Sequence, residues 1–384
     1  DAVVVSAART DTDGPRTRFL LTMSRGVRAE VFTLANPYRV VIDLPDVAFT
    51  LADGTGRTGS GLVTAFRYGL FADRKARIVL DAAGPVRIEK AVMTPNGGGS
   101  AVELAITLAA ISAEAFGSGT GAGLAPSGSA SASAARPQVY EDGAKPPSER
   151  PVVLIDPGHG GIDPGALGAS NLLEKAVVLS VAQKVRRRLE ATGRYDVRMT
   201  RTGDVFVSLD QRVKMSREVG ADLFISLHAD SIASKTYAPI VRGASVYTLS
   251  EQASDEQSQR MAEKENSADL LAGVDLGQSD DGDDVRDILI DLMKRETSNF
   301  SAEFSRQLTA SMGKSIEMSR DPQRSAAFKV LRQTHAPSVL VELGFMSNAA
   351  DETLMQQSEW QGKVAQSIVT AIETFFDRRT ARAP

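Results

Sequence analysis

Two of the three histidines in this chain follow short apolar runs that predict buried strands. His159 comes after the run at 152–155 and a proline–glycine turn, and His228 directly follows the run at 223–227. Ligands of open α/β sheets bind beyond the carboxyl ends of parallel strands, so we expect both imidazoles at one edge of a sheet. For either histidine taken alone, a polar loop residue is the ordinary alternative.

Two glutamates bring carboxylates to the same predicted edge. Glu174 begins a helical pattern, and Glu342 follows a third apolar run. Two imidazoles and one carboxylate from separate elements suit a catalytic zinc ion with an open fourth position, and Glu342 is then left to move protons. The third histidine, His335, precedes a predicted strand instead of following one, so we exclude it as a ligand. The pattern therefore predicts a metal-dependent hydrolase.

Four segments around these residues resemble the zinc-dependent N-acetylmuramoyl-L-alanine amidases of the amidase_3 class. They are 153–165 (VLIDPGHGGIDPG), Glu174, 226–230 (SLHAD) and 337–348 (PSVLVELGFMSN). The resemblance covers about residues 151–378. It implies that the enzyme cuts the amide between N-acetylmuramic acid and L-alanine in peptidoglycan. It carries the zinc-ligand roles onto His159, Glu174 and His228, and the catalytic role onto Glu342.

The implied reaction is metal-assisted amide hydrolysis, in which Glu342 takes a proton from water and passes it to the leaving amine of L-alanine. Asp156 and Asp230 are candidates for carboxylates that support the metal ligands, although each could equally form a strand-end turn. A non-catalytic wall-binding protein and a zinc peptidase acting within the stem peptide are the alternatives. The first would need a lost ligand or a lost Glu342, and only the resemblance argues against the second.

Composition excludes several other classes of protein. The net charge of the 384 residues is −4 and no basic tract stands out, which argues against nucleic acid as the main partner. No apolar run reaches membrane-spanning length, and without cysteine there is no disulfide or thiolate metal site. The chain opens at Asp1 without a signal sequence, as a processed or trimmed form would, and we expect a periplasmic monomer.

The chain divides into two predicted domains and a tether. Residues 1–112 carry short alternating strands between Gly, Pro and Asn breaks, which is typical of an all-β sandwich. The segment at 34–44 resembles the AMIN domain, which implies peptidoglycan binding or targeting, whereas Ile42 and Leu44 are core positions for any ligand. Residues 113–150, rich in Gly, Ser, Ala and Pro, predict a flexible linker.

Residues 151–380 predict an α/β domain with a mostly parallel sheet flanked by helices. Strand patterns occur at 152–155, 195–200, 222–227, 243–249 and 338–342, and helical patterns at 172–191, 208–218 and from 359 to about 379. Gln211 and Arg212 begin a helical face that could be merely solvated, so we assign them no catalytic role.

Residues 250–326 predict a helical insertion, because they are far longer than a strand connection needs. A first helix capped at 254–256 precedes an acidic loop at 278–284, which we interpret as a solvated turn in preference to a calcium site, and a longer amphipathic helix spans 288–308.

In division-associated members of the family, such an insertion covers the active site. The segment at 262–270 resembles that covering helix, which implies autoinhibition, activation by a LytM-domain partner and a role in daughter-cell separation. Glu265 is the first candidate to block the zinc and Glu263 the second, since they lie ~200° apart on a helix. The alternative is a helix that only packs on the sheet.

Overall fold

The computed structural model describes residues 2–96, 100–116, 150–232, 234, 236–274, 287–333 and 335–382, with backbone alone at 287–294 and 382. The predicted linker from 117 onward, the acidic loop at 278–284, and the side chains of the first part of the 288–308 helix lie outside the described residues. The described residues form two compact units, one made mainly of the N-terminal strands and the other mainly of the residues from 150 onward.

The N-terminal unit contains two β-sheets with a shared core, as the sequence predicts. The five-stranded sheet has the order β5-β1-β2-β9-β8, and the four-stranded sheet has the order β3-β4-β7-β6. Neighbouring strands are antiparallel except β1 and β5. Ile42 and Leu44 are fully buried. The strands are β1 Val3–Asp13, β2 Arg16–Met23, β3 Glu30–Leu34, β4 Arg39–Pro45, β5 Val47–Phe49, β6 Val63–Ala72, β7 Lys75–Ala82, β8 Val86–Pro95 and β9 Val102–Ala110.

The C-terminal unit has a six-stranded sheet of order β11-β10-β12-β15-β13-β14. All neighbours are parallel except β13 and β15. Its strands are β10 Val152–Pro157, β11 Asp196–Met199, β12 Leu223–His228, β13 Ala244–Leu249, β14 Met318–Ala326 and β15 Ser338–Glu342. In chain order, the described helices are α1 Glu174–Thr192, α2 Leu209–Glu218, α3 Glu256–Asn266, α4 Ala268–Leu271, α5 Asp287–Met312, α6 Ala349–Met355 and α7 Ser358–Arg382, with a 3-10 turn at Lys329–Leu331.

Alternate residues of the central strands enter two cores on opposite faces of this sheet. In β12, Leu223 and Ile225 pack with α1, α5 and α7, whereas Phe224 packs with Met261 of α3 and with the 3-10 turn. Burial on both faces explains why these strands are continuously apolar. None of the described helices is both long enough and apolar enough to cross a membrane.

One strand lies where the sequence predicts only helical insertion. β14 Met318–Ala326 pairs in parallel with β13 at the edge of the sheet, so the helical part of the insertion ends before 318. Its sequence, MSRDPQRSA, is polar and contains a proline, which edge strands tolerate because one side needs no ladder hydrogen bonds. β14 therefore lacks the continuous apolar run that identifies the interior strands of this sheet.

Candidate metal centre

Three adjacent parallel strands, β10, β12 and β15, end at the same edge of the sheet, and their registers bring the predicted residues together. His228 is paired with Glu342 across β12 and β15. His159 follows β10, which is hydrogen-bonded to the other side of β12. The expected meeting of two imidazoles and a carboxylate at strand ends is confirmed.

The turn after β10 places His159 through an unusual backbone conformation and several glycines. His159 itself has φ of 57°, in the left-handed region that few side chains adopt. A Cβ on Gly158 would lie 2.4 Å from the His228 ring, and one on Gly165 would lie 2.7 Å from both Glu174 and His159. Any larger residue at 158 or 165 would therefore displace the imidazoles or the glutamate.

Two buried arginines hold this turn by its backbone carbonyls. Arg212 donates to the carbonyls of Pro157 (2.9 Å) and His159 (2.8 Å), and it forms an ion pair with the fully buried Asp156. Arg201 donates to the carbonyls of Pro157 (2.9 Å) and Gly158 (2.8 Å). The arginine network therefore stabilises the strained turn that presents His159.

The expectation that Arg212 lies on a solvated helix face is wrong, because Arg212 is only 3% exposed. Asp156 accepts hydrogen bonds from Thr200 (2.6 Å) and Ser226 (2.7 Å) as well as from Arg212. Burial raises the pKa of Asp156, but the Arg212 charge and these hydrogen bonds outweigh it and leave that pKa below its ordinary value. Asp156 thus acts on the site through Arg212 and the turn.

Within the described residues, His159, Glu174 and His228 form a buried cluster that could hold a metal ion. Oε1 of Glu174 lies 3.2 Å from Nε2 of His159 and 3.2 Å from Nδ1 of His228. A tetrahedral zinc with bonds of about 2.0 Å holds its ligand atoms about 3.3 Å apart. The donor set and its spacing therefore fit zinc.

Glu174 is fixed before any metal binds. Its Oε2 accepts a hydrogen bond from the backbone of Ala166 (2.7 Å), and Oε1 accepts one from the backbone of Ala229 (2.7 Å). Burial alone would raise the pKa of Glu174, but the two imidazoles oppose burial and hold that pKa well below its ordinary range. Glu174 is thus oriented and ionised, as a charged metal ligand must be.

Glu342 lies in a different electrostatic environment. Its Oε2 accepts the backbone N–H of Asp230 (3.0 Å), and its buried Oε1 has no hydrogen-bond partner among the described residues. Burial, together with the charges of Asp230, Glu174 and Glu265, raises the pKa of Glu342 well above its ordinary value. A carboxyl with a raised pKa and one unengaged oxygen is suited to accept and return a proton.

Helix α3 brings Glu265 to the same cluster. Its Oε2 lies 3.3 Å from Nε2 of His159 and 3.4 Å from Nδ1 of His228, and its side chain is 6% exposed. Burial, with Asp230 and Glu174 nearby, raises the pKa of Glu265 despite the two imidazoles. Glu263 points to solvent and accepts a hydrogen bond from Gln259 (2.9 Å). Of the two predicted candidates, the structure therefore brings only Glu265 to the site.

The neighbouring Lys264 is a site residue that the sequence reasoning missed. Its ammonium forms an ion pair with Asp230, which is 1% exposed and follows His228 by two residues. Burial alone would lower the pKa of Lys264. The negative charges of Asp230, Glu174 and Glu265 outweigh burial, so the pKa of Lys264 lies above its ordinary value and the side chain stays charged. The excluded His335 contacts Ser216 (3.2 Å) instead of the cluster.

Comparison with known proteins agrees with this geometry. The family described as N-acetylmuramoyl-L-alanine amidase matches residues 153–374, and the AMIN domain matches residues 6–105. The amidase AmiC of Neisseria meningitidis serogroup B is 30% identical over 97% of this chain and 90% of its own length. AmiC of Escherichia coli O6:H1 is 30% identical over 94% of this chain and 86% of its own.

Among solved structures, the amidase AmiC2 of Nostoc punctiforme is 27% identical, covers 60% of this chain and 99% of its own, and has a TM-score of 0.44. The family match spans more than half of the chain, and the relatives match it over nearly its whole length. This chain therefore belongs to the N-acetylmuramoyl-L-alanine amidases, which hydrolyse the bond between N-acetylmuramic acid and L-alanine in peptidoglycan, and it carries an N-terminal AMIN domain.

Proposed function

We propose that this amidase is zinc-dependent, with His159, Glu174 and His228 as the metal ligands. The observation that carries the proposal is the buried cluster in which Oε1 of Glu174 lies 3.2 Å from a ring nitrogen of each histidine, close to the spacing that tetrahedral zinc requires. When bound, zinc supplies a Lewis acid that polarises the substrate carbonyl and lowers the pKa of water. Peptidoglycan is the substrate.

Glu342 supplies the proton transfers of the reaction. Its carboxylate takes a proton from the attacking water and gives it to the amide nitrogen as the carbon–nitrogen bond breaks. The raised pKa supports this role, because a carboxyl must gain and lose a proton near neutral pH to serve as base and then as acid. The backbone N–H of Asp230 fixes one oxygen and leaves the other for the reaction.

The enzyme is also autoinhibited by α3. The Glu265 carboxylate occupies the side of the cluster that faces both imidazoles, where substrate and water would have to enter. The helix is anchored by Met261 and Ala262 in the core and by Asn266, which bonds to the backbones of Ala327 (2.9 Å) and Lys329 (2.7 Å). Hydrolysis therefore requires displacement of α3.

An activator has to bind preferentially to the displaced state of α3. The family resemblance implies a LytM-domain protein at the division site, a role in daughter-cell separation and a periplasmic location. The exposed side of α5 is a candidate docking surface for this partner. By the same resemblance, the AMIN domain binds peptidoglycan and directs the catalytic domain to it.

Digestion of purified sacculi followed by mass spectrometry tests the reaction. Release of intact stem peptides that begin with a free L-alanine amine is expected from the zinc-loaded Glu265→Ala protein. Cleavage within the stem would support a zinc peptidase instead. Absence of cleavage, with zinc bound and sacculi retained, would favour a non-catalytic wall-binding protein.

A further inference from the structure

Helix α3 presents two adjacent side chains of opposite charge to two different groups of the site. Glu265 faces the imidazoles of His159 and His228, and Lys264 pairs with Asp230. Adjacent residues diverge by about 100° around a helix, so one helix can engage both positions at once. Asp230 also donates its backbone N–H to Glu342, the proposed proton carrier.

Amide hydrolysis yields products with the same pair of charges. Water adds to the carbonyl carbon, the carbon–nitrogen bond breaks, and the nitrogen keeps the bonding electron pair and receives a proton. The released acid then gives its proton to the amine, so the products are one carboxylate and one ammonium group. If Glu342 protonates the leaving nitrogen, that nitrogen departs next to Glu342, beside Asp230.

We propose that Asp230 binds the ammonium group of the released L-alanyl peptide, and that α3 blocks the site as an attached mimic of both products. The Glu265 carboxylate takes the position of the carboxylate product, and the Lys264 ammonium takes the position of the amine product. This inference rests on the proposed zinc-dependent reaction with Glu342 as the proton carrier.

The environment of Asp230 supports a role in reversible binding of a cation. The Asp230 side chain is 1% exposed, whereas the Lys264 side chain is 44% exposed, so a buried carboxylate is paired with a cation whose side chain remains partly in solvent. One carboxylate oxygen of Asp230 also accepts the backbone N–H of Ser231 (2.6 Å). Asn at 230 can keep that hydrogen bond through its side-chain oxygen while removing the negative charge, which separates the shape of the loop from the charge.

Direct binding of a product fragment tests the inference. The protein is the full chain, zinc-loaded, with Lys264→Ala and Glu265→Ala, so that neither mimic group competes. The probes are L-alanyl-D-isoglutamine, which carries the free amine, and propionyl-D-isoglutamine, which lacks only the amino group. Calorimetry at neutral pH should show at least about tenfold tighter binding of the amine, since the pair is a charge-assisted hydrogen bond.

Adding Asp230→Asn should reduce this preference to within about twofold and leave the binding of the propionyl compound unchanged. Equal affinities for the two probes in the Asp230 protein, or a preference that survives Asp230→Asn, would overturn the inference. If the protein with Asp230→Asn does not fold, the comparison of the two probes on the Lys264→Ala, Glu265→Ala protein still tests the inference. Failure of the same Lys264→Ala, Glu265→Ala protein to release peptides from sacculi would instead refute the proposed reaction.

Discussion

Replacement of Glu265 by alanine should activate the isolated enzyme. The substitution removes the carboxylate that lies 3.3–3.4 Å from two imidazole nitrogens and leaves the rest of α3 in place. With zinc bound between these nitrogens, the carboxylate would face a cation, and we take the range for hydrogen bonds to charged groups, about 1.5–3 kcal/mol, as the scale of its contribution. A shift of that size raises the population of the displaced helix about 10- to 150-fold. Release of dye from labelled sacculi, without any partner protein, should increase by a comparable factor.

Glu263→Ala is the matched control, because Glu263 lies on the same helix but is exposed and bonds only to Gln259. Deletion of 250–326 is a poorer test: it would remove edge strand β14 and the core residues Phe304 and Leu308 of α5. Wild-type activity equal to that of Glu265→Ala would refute autoinhibition. If only Glu263→Ala activated the enzyme, autoinhibition by α3 would stand, but Glu265 would not be the blocking residue.

Three further predictions concern metal, acid stability and the tether. His228→Ala should lose most of the bound zinc, whereas Glu342→Ala should keep about one zinc per chain and lose turnover, as measured by metal analysis and dye release. Asp156→Asn should destabilise the protein by about 3–5 kcal/mol at pH 7 by leaving a buried arginine unpaired. Folding lowers the pKa of Asp156, so the stabilisation that ionised Asp156 provides is present above about pH 4 and is lost as the pH falls through the lowered pKa. The difference in unfolding free energy between Asp156→Asn and wild type should therefore shrink in acid. Urea unfolding followed by the fluorescence of the single tryptophan, Trp360, measures this difference. A fragment beginning at 150 should fold alone and bind sacculi less well than the full chain, and equal binding in a pull-down would remove the targeting role of the AMIN domain.

The parts of the site that could be predicted are those that local sequence determines. Apolar runs with a histidine or glutamate at the end identify β10, β12 and β15, and parallel pairing then brings His159, His228 and Glu342 to one edge. A cap at 254–256 predicted the helix that carries Glu265, and the structure confirms Asp255 as its N-cap. The choice of Glu265 rested on the family resemblance and on its ~200° separation from Glu263. These features need no knowledge of distant contacts.

The residues that were missed act through distant contacts. Arg212 lies at a helix start with no apolar pattern around it, and its partners Asp156 and His159 are more than 50 residues away. Lys264 is an ordinary charged residue of an exposed helix face until the fold places Asp230 beside it. β14 was missed for a related reason, since its polar pattern becomes a strand only through pairing with β13.

The contacts of α3 also limit how far one substitution can open the site. Burial of Met261 alone contributes roughly 1.5–3 kcal/mol, and the Lys264 ion pair and the two hydrogen bonds of Asn266 remain when Glu265 is removed. A shift from 1:99 to 99:1 requires about 5.5 kcal/mol, more than the carboxylate contacts supply. Glu265→Ala protein should therefore be more active than wild type but still respond to an activator, which has to provide the remaining free energy by binding α3 or its neighbours in the displaced state.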